Sequence, residues 1–245
     1  MLPKNEFPTY SFVVPSTQKS IQFRPFLRKD KKLLLIALEN KDAGEIVNAV
    51  KQVLTNCVLD PKFDIDSLAS FDIEMFFLNL RARSDSEIVE ATYKCDNVVD
   101  DKPCGAKLDI VYNLLEQKLT TFPEHTKTIM LGKDTGVVMK YPTFTMLQEV
   151  SGPNNQTRNP VDVASDFITD CIDYVFDKEN IHKFPEFSRK ELEEYLDTLT
   201  TAQYAKIEQF IDTMPVLKHV VAKDCPKCKH HHVIEMEGLP SFFDL

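Results

Sequence analysis

Two cysteine clusters, far apart in sequence, constrain this chain more than any other feature. The first runs Lys94-Cys95-Asp96 and on to Lys102-Pro103-Cys104-Gly105; the second is Asp224-Cys225-Pro226-Lys227-Cys228-Lys229. Each lies between runs of strand character, 88–93 and 106–112 for the first, 216–221 and 232–236 for the second. This is the logic of a zinc ribbon, in which two hairpin tips each offer two thiolates and one tetrahedral ion closes the site. Cys225 and Cys228 have the compact spacing of a metal knuckle, whereas eight residues separate Cys95 from Cys104. The plainer alternative is four small core residues, since unliganded cysteine packs well in apolar surroundings. Asp, Lys, Pro and Gly around both pairs are poor company for a core.

Four thiolates leave no open coordination position. A Zn2+ held by Cys95, Cys104, Cys225 and Cys228 would therefore be structural, tying the middle of the chain to its end. His230, His231 and His232 are spare candidate ligands; beside a complete set of thiols the run reads as solvated. Cys57 and Cys171 fall on apolar helical faces and read as packing.

At 245 residues the chain can bury a sizeable core, as one large or two small domains. Its 43% hydrophobic and 27% charged residues are ordinary for a soluble globular protein. No apolar run is long enough to span a membrane, and the first residues lack the apolar core of a secretion signal. Six cysteines, two of them spaced Cys-x-x-Cys, fit a reducing compartment and a metal better than disulfides. The formal charge of −9 works against nucleic-acid binding unless a local basic patch overrides it.

Along the chain, residues 10–14 and 21–24 form an N-terminal hairpin around Pro15-Ser16-Thr17. Asp30 is placed to cap a helix that starts at Lys31, and Asp42 a second carrying Ile46, Val50, Val53, Leu54 and Cys57. A third helix runs from about Asp72 to Arg83, with Ile73, Phe76, Phe77 and Leu80 inward. Gly132-Lys133-Asp134-Thr135-Gly136 is a turn between two short strands, not a phosphate loop, because the upstream glycine is missing. A short helix covers 144–150, and a polar loop follows over 151–160. Residues 161–214 read as helical, with the capping-box pattern Ser188-Arg189-Lys190-Glu191 and a further helix opening at Thr200. Phe242 and Phe243, near the end of the sequence, either fold back on the body or dock on a partner.

These readings give an α+β fold. Residues 1–86 make an N-terminal hairpin plus a three-helix lobe. Residues 87–141 and 215–245 make a discontinuous, zinc-ribbon-like β unit with the four-cysteine site, and 142–214 form a helical insertion in it. The search for catalytic groups is mostly empty. His125 has no serine or cysteine nucleophile in a recognisable elbow, no His-Glu-x-x-His occurs, and Asp60, Asp64, Asp66 and Asp72 lack the turn glycine of a calcium loop. The reading is non-enzymatic. Lysines at 29, 31 and 32, and at 218, 223, 227 and 229, make small basic patches that serve either an acidic partner or solvent.

Several runs together resemble a known family. They are Val14-Pro15-Ser16-Thr17, Arg24-Pro25-Phe26-Leu27-Arg28-Lys29, the 33–39 helix, and Phe71-Asp72-Ile73-Glu74-Met75-Phe76-Phe77-Leu78 leading to Leu80-Arg81-Ala82-Arg83-Ser84. With the cysteine clusters and the closing Gly238-Leu239-Pro240-Ser241-Phe242-Phe243, they are similar to the baseplate hub proteins of T-even-type contractile-tailed bacteriophages. The resemblance covers most of the chain and is best over 10–115. It implies a late phage protein made in the host cytoplasm that acts in tail assembly, as a hub subunit in the virion baseplate or as a hub assembly factor. It further implies protein–protein contacts with other hub proteins and no catalytic residues. A zinc-ribbon nucleic-acid-binding or transcription regulatory protein is the alternative, gaining from Cys-Pro-Lys-Cys and losing on net charge.

Overall fold

A computed structural model describes residues 6–40, 43–151, 155 and 157–238. The fold is α+β, with helices and several small antiparallel sheets. It divides into two compact units. The first is drawn from Met1–Ile65, Phe71–Thr120 and Val216–Leu245, the second from Asp66–Ser70 and Thr121–Pro215.

The first unit opens with β1 (Tyr10–Val13) and β2 (Ser20–Phe23), an antiparallel hairpin in register from Tyr10↔Phe23 to Val13↔Ser20. Next come α1 (Arg28–Asn40), α2 (Ala43–Cys57) and α3 (Ser70–Ser84). α1 starts earlier than its apolar spacing suggests, so Asp30 lies inside the first turn, not ahead of it. From there its carboxylate accepts from the Leu27 N–H at 2.8 Å and pairs with Arg24 at 3.1 Å. It thus satisfies a free N–H at the helix start from within, as the acidic half of a capping box does. The expected cap Asp42 lies outside the described residues. On α3 the aromatic stripe is core: Phe76 stacks on Phe12 at 5.1 Å and meets Phe23 edge-on at 5.3 Å. The buried Asp72 accepts from the Ser16 N–H at 2.9 Å and from its hydroxyl, fixing the hairpin turn to the helix.

Two longer hairpins complete this unit. β3 (Ile88–Lys94) leads through β4 (Val98–Val99) and β5 (Lys102–Pro103) to β6 (Lys107–Asn113), and β7 (Leu119–Thr120) follows. β3 and β6 pair along their whole lengths, from Ile88↔Asn113 to Lys94↔Lys107.

The second unit holds β8 (Thr128–Met130), β9 (Gly136–Met139), α4 (Phe144–Ser151), α5 (Pro160–Asp170), β10 (Ile172–Phe176), β11 (Ile181–Lys183), α6 (Arg189–Asp197) and α7 (Thr201–Asp212). Its sheet runs β11-β10-β9-β8. The expectation of continuous helix over 161–176 fails after Asp170. Cys171 caps α5, and Ile172-Asp173-Tyr174-Val175-Phe176 enters the sheet against Met139 to Gly136. β-branched and aromatic residues there gain more from cross-strand packing than from another helical turn. Gly136 is required where it stands: an added Cβ would lie 2.5 Å from the Ile129 carbonyl oxygen and 2.6 Å from the Phe176 ring. α6 and α7 both start on complete capping boxes, Ser188 with Glu191 and Thr200 with Gln203. Beneath them Ile168, Ile172, Leu192, Ile207 and Phe210 share a buried cluster with Ile129, Val137 and Met139.

The chain returns to the first unit as β12 (Val216–Asp224) and β13 (His231–Glu237), paired from Lys218↔Glu237 to Asp224↔His231. β7 adds to the far edge of β12. Leu78 on α3, Val89, Ile110 and Tyr112 from the first long hairpin, and Leu217 and Met236 from the second form one buried cluster. That core sets the tips of the two hairpins side by side.

Candidate metal centre

The eight residues between Cys95 and Cys104 are not slack. β4 and β5 pair as Val98↔Pro103 and Val99↔Lys102, a miniature hairpin inside the loop. Asp100 and Asp101 turn it with φ of 49° and 57°. Two successive left-handed residues are the signature of a tight type I′ turn, which suits the twist of flanking strands. The detour returns the chain to its start: the Cys104 N–H donates to the Asn97 carbonyl at 2.8 Å, and Gly105 N–H to the Cys95 carbonyl at 3.0 Å. At the other tip, the Lys229 N–H donates to the Cys225 carbonyl at 3.0 Å and Cys225 N–H to the His230 carbonyl at 2.9 Å. In both knuckles the residue after the second cysteine is left-handed, Gly105 at φ 63° and Lys229 at φ 62°. Different spacings reach the same local geometry.

The four sulfurs converge. All lie within 4.8 Å of one another, and Cys95···Cys228 and Cys104···Cys225 are each 3.7 Å apart. Zn–S bonds of about 2.3 Å in a tetrahedron place neighbouring sulfurs about 3.8 Å apart. The sites are buried for Cys95, Cys104 and Cys225 and half-buried for Cys228. The cluster is free of disulfides. The donor set and its dimensions therefore fit a tetrahedral thiophilic ion.

The thiols are electrostatically unequal. The His230 N–H beside its sulfur holds Cys228 down at about 6, which makes it a thiolate near neutral pH. Burial opposes ionisation of Cys225, yet N–H groups of Cys228 and Lys227 draw it below its ordinary value. Burial pushes Cys95 up to about 12. Thiolate is the metal-binding form, so half of the set leans toward it without help. Away from the cluster, burial pushes the thiols of Cys57 and Cys171 to about 12, in keeping with packing roles.

The histidine run is not uniformly solvated, contrary to the expectation from its sequence. His230 and His231 are exposed, but His232 is 6% exposed and its Nε2 lies 3.1 Å from Cys95 Sγ. Asn97 Nδ2 sits 3.6 Å from Cys228 Sγ. A signal for His232 was present: along β13, His232, Ile234 and Met236 alternate inward with exposed neighbours.

His125, in the second unit, has ring nitrogens 2.9 Å from Thr213 Oγ1 and 3.0 Å from the Tyr141 hydroxyl, and stacks on Phe210. Burial, with Lys127 nearby, pushes its pKa down, so it is a neutral, hydrogen-bonded packing residue. Phe242 and Phe243, expected as partner contacts, lie outside the described residues. No helix among the described residues is long and apolar enough to cross a membrane.

The chain is an α+β protein in which two hairpin tips bring four thiols together at dimensions compatible with a metal site. The family model for T4 bacteriophage base plate protein matches residues 7–244, and the chain belongs to that family. Comparisons with curated proteins and with solved structures return no match.

Proposed function

We propose that this chain is a hub subunit or hub assembly factor of a contractile phage tail baseplate, acting by protein–protein contact and without catalysis. The observation that carries the reading is the family match across residues 7–244, which includes both cysteine tips. Membership in a baseplate family implies contact with other phage structural proteins. Cys95, Cys104, Cys225 and Cys228 hold one structural Zn2+, whose chemistry is to cross-link two hairpins 133 residues apart at Cys95 and Cys228. The chain is made in the host cytoplasm, and Phe242 and Phe243 contribute to partner binding.

Against the nucleic-acid alternative, three of the four lysines in the 218–229 patch are engaged within the fold. Lys218 pairs with Glu235 at 2.7 Å, Lys223 donates to the Asp109 carbonyl, and Lys227 lies 3.4 Å from the Cys104 carbonyl oxygen. These ammonium groups serve the fold. The test is mass spectrometry of purified virions and of baseplate intermediates from infected cells, with elemental analysis of the isolated chain. Presence in virions supports a hub subunit, and presence only in intermediates supports an assembly factor. Absence from both overturns the reading, and zinc well below one per chain overturns the metal assignment.

A further inference from the structure

We infer that His232 and Asn97 are positioning residues of the four-cysteine centre, donating N–H···S hydrogen bonds to the metal-bound sulfurs of Cys95 and Cys228. The inference rests on the metal reading above and assigns work to two residues outside the ligand set.

The distances separate donor from ligand. A histidine nitrogen and a cysteine sulfur bound to one tetrahedral zinc lie about 3.6 Å apart, given bonds of about 2.0–2.1 and 2.3 Å. His232 Nε2 is 3.1 Å from Cys95 Sγ, closer than two ligands of one ion sit. Four thiolates already complete the tetrahedron. A metal-bound thiolate has no proton to give, so the ring supplies it and Nε2 carries the hydrogen. His232 Nδ1 is 3.7 Å from the Asp96 carboxylate, beyond hydrogen-bond reach. The ring is held by its neighbours, with Tyr93 at 5.5 Å and 59° and His230 at 4.7 Å and 75° between ring planes.

The physical need is charge. One Zn2+ with four thiolates carries a net −2 in a site where three of four sulfurs are buried. Buried charge is tolerated where donors disperse it, and metal ligands are oriented by the groups that bond to them. His232 meets the Cys95 sulfur of the first tip, and Asn97, inside the first loop, reaches the Cys228 sulfur of the second. The two bonds therefore cross between the tips in opposite directions and add to the tie that the ion makes.

The experiment compares wild-type chain with His232→Phe, His232→Gln and Asn97→Ala by chelator competition for zinc and by cobalt substitution. His232→Phe keeps a ring but no donor; its zinc affinity should fall about 10–100-fold, the usual cost of losing a metal site's outer hydrogen bond. Gln, which restores an N–H, should recover part of that loss, and Asn97→Ala should weaken binding less. All should keep one metal per chain and a four-sulfur tetrahedral cobalt spectrum. Unchanged affinity in His232→Phe overturns the inference, as does a wild-type spectrum of three sulfurs and one nitrogen. A second measurement stands if the variants fail to fold: in cadmium-113-loaded wild type, a His232 Nε2–H coupled to cadmium supports the bond, and an unprotonated Nε2 sinks it. Wild-type chain that binds no metal sinks the metal reading itself.

Discussion

The two compact units use different chemistry to hold their ends together. In the first, the longest β ladders terminate in four sulfurs, and the tips around them are polar: Asp96, Asp100, Asp101, Lys102, Lys227 and Lys229. In the second, helices start on side-chain caps and close over an aliphatic and aromatic cluster from Ile129 to Phe210. Charge divides the same way. The spans of the first unit hold 20 Lys and Arg against 21 Asp and Glu, those of the second 9 against 17, so nearly all of the net −9 belongs to the second. A unit that carries that much like charge needs a core strong enough to offset self-repulsion. A unit whose hairpin tips have little apolar surface to bury needs a cross-link instead. The cysteines form a small buried cluster of their own with Leu108, flanked by Tyr93 and Ala106.

The largest effect should come from removing half of the four-thiol cluster. With Cys225→Ser and Cys228→Ser together, metal content should fall to near zero and the first unit should lose its cooperative melt, because structural zinc binding is worth on the order of 10 kcal/mol and is coupled to folding. Hydrogen exchange should show lost protection over 88–113 and 216–237, with protection over 160–212 retained. Wild-type protection at both tips in the double variant would mean that packing, not the thiol cluster, holds the tips.

The converse test strikes the other unit. Phe210 is 2% exposed and stacks against His125 at 4.9 Å and Tyr141 at 5.6 Å. Phe210→Ala should cost about 3–5 kcal/mol in the second unit, the range for deleting a buried aromatic ring, while metal content stays at the wild-type value. Calorimetry resolving both transitions, with elemental analysis of the same sample, reads this. Loss of metal along with the second unit's transition would show that the units do not fold by separate means.

Much of this contrast was legible in the sequence, for identifiable reasons. Cysteines among charged and turn residues announced a cluster, and Ser188 and Thr200 announced helix starts, because both signals are local. The miniature hairpin between Cys95 and Cys104 was not legible: Val98-Val99 and Lys102-Pro103 are too short to show alternation, and only the Asp100-Asp101 turn pairs them. β10 was hidden because Ile168, Ile172 and Val175 continue a helical spacing, and its strand state depends on a partner, 136–139, distant in sequence. For His232 composition pointed the wrong way, and only the alternation with Ile234 and Met236 carried a signal. Three consecutive histidines look alike until strand register assigns one of them to the inner face.

A smaller effect concerns the acidic second unit. Asp177 follows β10, its Oδ2 2.9 Å from His182 Nε2 and its Oδ1 accepting from the N–H groups of Glu179 and Asn180 at 2.8 and 2.9 Å. The His182 contact first, then those N–H groups, hold its carboxyl down from 3.8 to about 2. A carboxyl depressed in the folded state favours folding wherever it is ionised in both states, so its contribution is complete above about pH 4 and is lost as pH falls toward 2. Asp177→Asn keeps a carbonyl oxygen for the two N–H groups while removing the charge and replacing the oxygen that faces His182 with an NH2 donor. The variant should therefore be slightly less stable than wild type at pH 5–7, and the two should converge near pH 2. A gap that persists at pH 2 would mean the substitution disturbed the turn itself. The second unit's tolerance of its own negative charge would then owe nothing to this histidine pair.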